Sequence, residues 1–140
     1  MKIYFSHGKE SGPWGSKIKR LAIIAREMRC DVESVDYTDT FDPDIRVKRL
    51  VRLLKDEDET CILVGSSMGG HVASAAAGRV KAAGLFVLAP AYFMPGFEEL
   101  TPSPPQIPIC IVHGWNDDVV PVENSIRFAA GCKAELQDRK

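Results

Sequence analysis

Histidine is scarce in this chain: His7, His71 and His113 are the only three in 140 residues. Any imidazole chemistry must draw on these three, and none lies in the last 27 positions. The four cysteines, Cys30, Cys61, Cys110 and Cys132, lie far apart, with no C-x-x-C pair and no histidine at metal-ligand spacing. That excludes a disulfide framework and a zinc site. All four read as structural, and Cys61 and Cys110, inside apolar strand-like runs, read as small buried hydrophobes. Charge of one sign is lacking too, since eighteen Lys+Arg against nineteen Asp+Glu leave a net charge of −1. No field exists to hold nucleic acid or an anionic membrane. No apolar run approaches the roughly 20 residues that span a bilayer, and Met1–His7 lacks a signal-peptide core. A cytoplasmic protein is therefore expected. Repeats, linkers and low-complexity runs are absent; one Pro-rich stretch lies between Pro90 and Pro108. What remains is ordinary for a globular chain, 45% hydrophobic and 26% charged, and long enough for one domain.

Short β-rich runs alternate with helical periodicity. Strands are expected at Lys2–Ser6, Asp31–Asp36, Thr60–Gly65, Gly84–Ala89, Ile107–His113 and Cys132–Gln137. Runs such as Cys61-Ile62-Leu63-Val64 are apolar throughout, which suits strands covered on both faces of a parallel sheet. Between them, Asp42 can cap a helix with Pro43 at its first position, and Val47, Leu50, Val51 and Leu54 recur on one face. Ile18, Leu21, Ala22, Ala25 and Met28 form a second stripe, Ser67–Val80 is an Ala/Gly-rich helix, and Pro121–Ala130 ends at Gly131. The alternation implies βαβ crossovers: an α/β fold with a doubly wound, mostly parallel sheet of about six strands flanked by helices. Ligands in such sheets bind at the carboxyl ends of the strands.

Three motifs fall at such ends. Gly65-Ser66-Ser67-Met68-Gly69 fits G-x-S-x-G at a strand-to-helix junction, which puts Ser67, not Ser66, on the exposed turn as nucleophile. The bland alternative is a helix cap in a Gly/Ser-rich turn. Ser6-His7-Gly8-Lys9-Glu10-Ser11-Gly12-Pro13 follows the first strand and can offer a backbone N–H to an oxyanion. The two donors would be the N–H groups of Met68 and Lys9; an ordinary βα turn is the alternative. His113-Gly114-Trp115-Asn116-Asp117-Asp118-Val119-Val120-Pro121 carries two adjacent aspartates, either of which could orient a histidine or simply cap a turn.

In this order and spacing the three motifs resemble a small bacterial serine hydrolase of the α/β-hydrolase superfamily. The resemblance implies that the acid position of H-G-x-x-D-x-x-V-P falls on Asp117, with Asp118 in reserve. It also implies that Met1 begins the superfamily's third strand, a minimal fold lacking the first two. Trp14, Tyr92, Phe93 and Trp115, with His7, would line an acyl pocket, and residues 91–106 would form either a lid or a plain surface loop. No metal and no organic cofactor is implied. The expected partner is a small-molecule acyl ester or thioester, with no nucleic acid, no membrane and a homo-dimer as the possible assembly.

One departure stands out. The superfamily's histidine follows the last strand, yet only Asp138-Arg139-Lys140 follow Cys132–Gln137. The expectation is a single α/β-hydrolase domain over residues 1–140 without its catalytic-histidine loop and last helix, its base lying beyond Gln137. His7, His71 and His113 all occupy the wrong places for a general base. The reading is a carboxylesterase or thioesterase acting through an acyl-enzyme at Ser67. The alternative is a non-catalytic binding or interaction module of the same fold that lacks the histidine.

Overall fold

Along the central strands, alternate side chains point to opposite faces, and both faces are apolar. Tyr4, Leu63, Leu85 and Val87 enter one core, whereas Phe5 and Val64 enter another. A strand buried on both sides needs helices above and below it. The computed structural model describes the backbone of residues 1–138 and the side chains of residues 1–132. Its elements are β1 (Lys2–Ser6), α1 (Ser16–Glu27), β2 (Asp31–Val35), α2 (Pro43–Lys55), β3 (Cys61–Ser66), α3 (Met68–Ala77), β4 (Gly84–Leu88), β5 (Ile109–Val112) and α4 (Val122–Asp138), with one 3-10 turn at Glu98–Leu100. The five strands form one sheet in the order β2-β1-β3-β4-β5. Every pairing is parallel, in a register that sets Ser6 beside Gly65 and Ser66 beside Leu88.

The two faces are unequally covered. Val47, Leu50 and Leu54 of α2 join Val72, Ala73 and Ala76 of α3 over Tyr4, Leu63, Leu85 and Val87. All of α3 is buried, because its Ala and Gly residues let it lie against the sheet. The opposite face is packed by α1, whose Ile18 and Ala22 meet Phe5 and Val64. Each of the buried Val, Leu, Ile and Phe side chains among these contributes about 1.5–3 kcal/mol.

Two expectations are corrected. Cys132–Gln137 is not a sixth strand but the continuation of α4, which runs through Gly131 rather than stopping there. Lys133-Ala134-Glu135-Leu136-Gln137 are strong helix formers without a β-branched residue, and that preference outweighs a single glycine. Cys110 is exposed, not buried. It lies on β5, an outer strand of the sheet, on the α1 face but beyond the part that α1 covers. Among the described residues no helix is long and apolar enough to cross a membrane.

Candidate active site

The strand order reverses direction between β1 and β3, so the loops that follow these two strands part at the carboxyl edge and leave a crevice. Ser67 sits there, between β3 and α3, with φ 54° and ψ −121°. A non-glycine residue held in this region stores about 1–3 kcal/mol of strain. Backbone bonds keep it there. The Ser67 N–H donates to Leu88 O at 3.0 Å, and Ser67 O accepts from the N–H groups of Ala91 at 2.8 Å and Gly70 at 2.9 Å. Its hydroxyl does not cap the helix it opens, so the helix-cap reading of this motif fails.

The flanking glycines are required by contact rather than by conformation. A Cβ on Gly65 would lie 2.0 Å from Gly69 O, and one on Gly69 would lie 1.9 Å from Ser6 O. The turn thus presses its own backbone and the end of β1 together, which brings the loop after β1 against Ser67. A Cβ on Gly8 would stand 3.5 Å from Ser67 Cβ.

That loop is anchored from behind. His7 is buried; its Nε2 accepts the Tyr37 N–H at 2.9 Å, so the proton is on Nδ1, which donates to Gly8 O at 2.7 Å. Burial holds its pKa below the ordinary histidine value, the Gly8 bond opposing this only in part. Arg46 of α2, fully buried, directs its guanidinium at the same loop: Nη1 donates to Gly8 O at 3.1 Å and Nη2 to Lys9 O at 3.1 Å. Among the described residues, no protein acceptor takes the N–H of Lys9 or of Met68.

The loop after β5 is built around Asp117. Its Oδ1 accepts the N–H groups of Val119 and Val120, each at 2.9 Å. Those two bonds, Val120 first, lower its pKa, with His113 and Lys17 adding smaller contributions. Asp118 is exposed, so the structure favours Asp117 as the organised carboxylate of the pair. His113 lies behind it, Nε2 3.6 Å from Asp117 Oδ2. Nε2 donates to Val120 O at 2.7 Å and Nδ1 meets Ser125 Oγ at 2.7 Å, so both ring nitrogens are occupied. His71, on α3, is buried with its pKa pushed down to about 4 by desolvation, and its Nδ1 has no hydrogen-bond partner among the described residues. Both ring nitrogens of His7 and of His113 are thus engaged in structural bonds, and His71 is buried on α3. The position expected for a histidine beyond Gln137 lies outside the described residues.

A cleft of about 840 Å³ opens over Ser67. His7, Lys9, Ser67 and Met68 line it, with Ser66 beside them. Trp14, Tyr92, Phe93 and Trp115 do not. Trp14 is turned to Arg26, Phe93 packs under Arg127 with the guanidinium 3.8 Å above its ring, and Trp115 is 75% exposed. Tyr92 is a core strut, its hydroxyl 2.7 Å from Ser74 Oγ and its ring stacked on Phe128. The apolar wall is made instead by Ile18, Phe41, Met94, Phe97 and Val119. Asp117 is not part of the lining, although Val119, which its carboxylate holds, is. Residues 91–100 contribute to the cleft through Ala91, Met94, Pro95 and Phe97, and not through Tyr92 or Phe93.

Phe41 and Arg46 escaped the sequence reading. Arg46 lies between Pro43 and Leu50 on the buried stripe of α2, and a charged residue in an apolar stripe was the available signal. Phe41 precedes the Asp42 cap in a loop whose course only the fold determines.

Comparison with known proteins is consistent with this geometry. The family model described as "Alpha/beta hydrolase family" matches residues 3–133. A solved structure of an alpha/beta superfamily protein from Xanthomonas campestris pv. campestris is similar at 29% identity and a TM-score of 0.80, over 92% of this chain and 80% of that one. Alpha/beta hydrolase domain-containing protein 10 from mouse is similar in fold, at 20% identity and a TM-score of 0.76, over 92% and 74%. A methylesterase from Arabidopsis matches at 27% identity and a TM-score of 0.55, over 64% of this chain and 43% of that one. No protein of curated function matches by sequence.

Proposed function

Because the chain belongs to the alpha/beta hydrolase family, its model matching residues 3–133, we propose that it is a serine hydrolase cleaving small acyl esters or thioesters through Ser67. The observation that carries this reading is the strained Ser67 turn at the floor of the cleft, φ 54°, with a hydroxyl not spent on the helix. The likeness to a protein described as a methylesterase supports an ester as substrate. In this scheme Ser67 Oγ attacks the acyl carbon and its proton passes to a base. The N–H groups of Met68 and Lys9 take the oxyanion, and the alcohol or thiol departs with a proton. Water then attacks the acyl-enzyme, releases the acid and restores Ser67. Asp117 would orient a histidine base and stabilise its imidazolium form. The organic chemistry of the scheme uses no metal or cofactor.

A second reading has one observation in its favour. His7 and His113 are occupied by structural bonds and His71 is buried in the core, which suits a binding module of the same fold without a base. A fluorophosphonate probe and p-nitrophenyl acetate separate the two. Ser67→Ala is expected to lose labelling and hydrolysis, and Ser66→Ala to keep both. With the oxyanion hole but no base, the Ser67-dependent rate of the 140-residue chain should stay within about 10³–10⁴-fold of water. A chain extended through a downstream histidine should exceed that by orders of magnitude. Equal labelling of the two serine variants would remove the nucleophile assignment, and an unlabelled extended chain would leave the binding module.

A further inference from the structure

A peptide unit that is trans carries its C=O and its N–H on opposite sides, and no peptide bond among the described residues is cis. Whatever grips the carbonyl of the Gly8–Lys9 peptide therefore also aims the Lys9 N–H. Two buried side chains grip it. His7 Nδ1 donates to Gly8 O at 2.7 Å, and Arg46 Nη1 donates to the same oxygen at 3.1 Å. With the carbonyl drawn toward α2, the Lys9 N–H is left on the other side, without a protein acceptor among the described residues, in the loop that lines the cleft with Ser67.

Arg46 does more than touch one oxygen. Its remaining donors reach Lys9 O at 3.1 Å and Tyr37 O at 3.2 Å from Nη2, Thr40 O at 2.8 Å from Nε and, more weakly, His7 O at 3.4 Å from Nη1. The loops after β1 and β2 are thus tied to one planar fork. An ammonium has three donors on a single atom and cannot span five carbonyls. Nor is this an ion pair: the described residues place no carboxylate oxygen within salt-bridge distance of the guanidinium. Its charge is spent on peptide dipoles instead. A cation on the carbonyl polarises the peptide and strengthens its N–H as a donor, the cooperative effect expected of chained hydrogen bonds in a low-dielectric site.

We infer that Arg46, assisted by His7, is the positioning residue of the oxyanion hole, turning the Lys9 N–H toward Ser67 and strengthening it as a donor. This rests on the serine-hydrolase reading for its catalytic consequence but not for its geometry, so the two are tested apart. In the wild-type chain, an NMR cross-peak between the Lys9 amide proton and the Ser67 β protons is expected whether or not the protein hydrolyses esters; its absence overturns the inference. Arg46→Lys, which keeps charge and most volume, should lose that cross-peak. It should also lower kcat of the Ser67-dependent hydrolysis of p-nitrophenyl acetate by about 10²-fold, the loss seen when one oxyanion donor is removed, with KM nearly unchanged. Arg46→Ala should regain part of its kcat when methylguanidinium is added, a rescue that a merely unstable fold would not show. Arg49→Gln, which removes a neighbouring guanidinium bound to Asp39 at the surface, is the control and should leave kcat in place. A folded Arg46→Lys that keeps both the cross-peak and kcat refutes the inference. If Ser67→Ala instead retains hydrolysis, the serine-hydrolase reading fails while the wild-type cross-peak still decides the geometry.

Discussion

His71 sets the acid side of the protein's stability. Buried on α3 with Nδ1 unpartnered, it is held neutral by desolvation, its pKa pushed down to about 4. An unfolded imidazole titrates near 6.5. Between those values the unfolded chain binds more protons than the folded one, so stability falls as pH drops from about 6.5 to about 4 and levels off below. At most about 3 kcal/mol is at stake from this residue, and His7, shifted in the same direction by burial, adds to the slope. Urea denaturation from pH 7.5 to 4 should show the decline. His71→Leu, which removes a buried polar atom left without a partner, should flatten it and gain about 1 kcal/mol at pH 7. An unchanged pH slope in that variant would move the origin to other groups. Ser67 is the contrasting residue: the G-x-S-x-G register singles it out from sequence, while its strain is legible only in φ and in the backbone bonds that hold it.

At the scale of elements, α2 links stability to the site. Asp42 Oδ1 accepts the Asp44 N–H at 2.8 Å and the Ile45 N–H at 3.3 Å, Pro43 occupies the first helical position, and Arg46 follows one turn later. Asp42→Ala should cost about 1 kcal/mol in chemical denaturation. The turn before α3 tolerates less. A methyl at Gly69 would meet Ser6 O at 1.9 Å, and backbone cannot swing aside as a side chain can. Gly69→Ala should therefore cost about 3 kcal/mol, the upper range for overpacking, and displace the loop that carries Lys9. A thermal midpoint within a degree or two of wild type would show that β1 yields more readily than the packing implies. Asp42, Pro43 and the apolar stripe of α2 made this helix readable in advance to its first residue. The end of α4 was not, because Gly131 reads as a stop only when nothing beyond it favours helix.

The whole sheet is covered unevenly, and that has a consequence for assembly. On the side facing α1, β5 exposes Cys110 and Val112, and its outer edge has no strand beside it among the described residues. Val119 and Trp115 are exposed in the loop that follows. An unpaired apolar edge is a template for pairing with another chain. Sedimentation velocity over a concentration series should show self-association, and Val112→Lys should suppress it without changing fluorophosphonate labelling at Ser67. A monomer at every concentration would show that the edge is protected by other means.

Much of this protein follows from the order of its residues. The apolar runs place five strands, Asp42-Pro43 starts a helix, and three motifs at strand ends mark the loops that carry Ser67, Lys9 and Asp117. Such features are local, and local preference suffices to write them. What lines the cleft is not local. Tyr92 goes to the core because Ser74, eighteen residues away, offers its hydroxyl a partner, and Phe41 reaches the cleft because the loops after β1 and β2 are drawn together by Arg46. Which side chain fills a pocket, and which buried cation aims a backbone N–H, depends on contacts between segments distant in sequence. Only the tertiary structure brings those segments together.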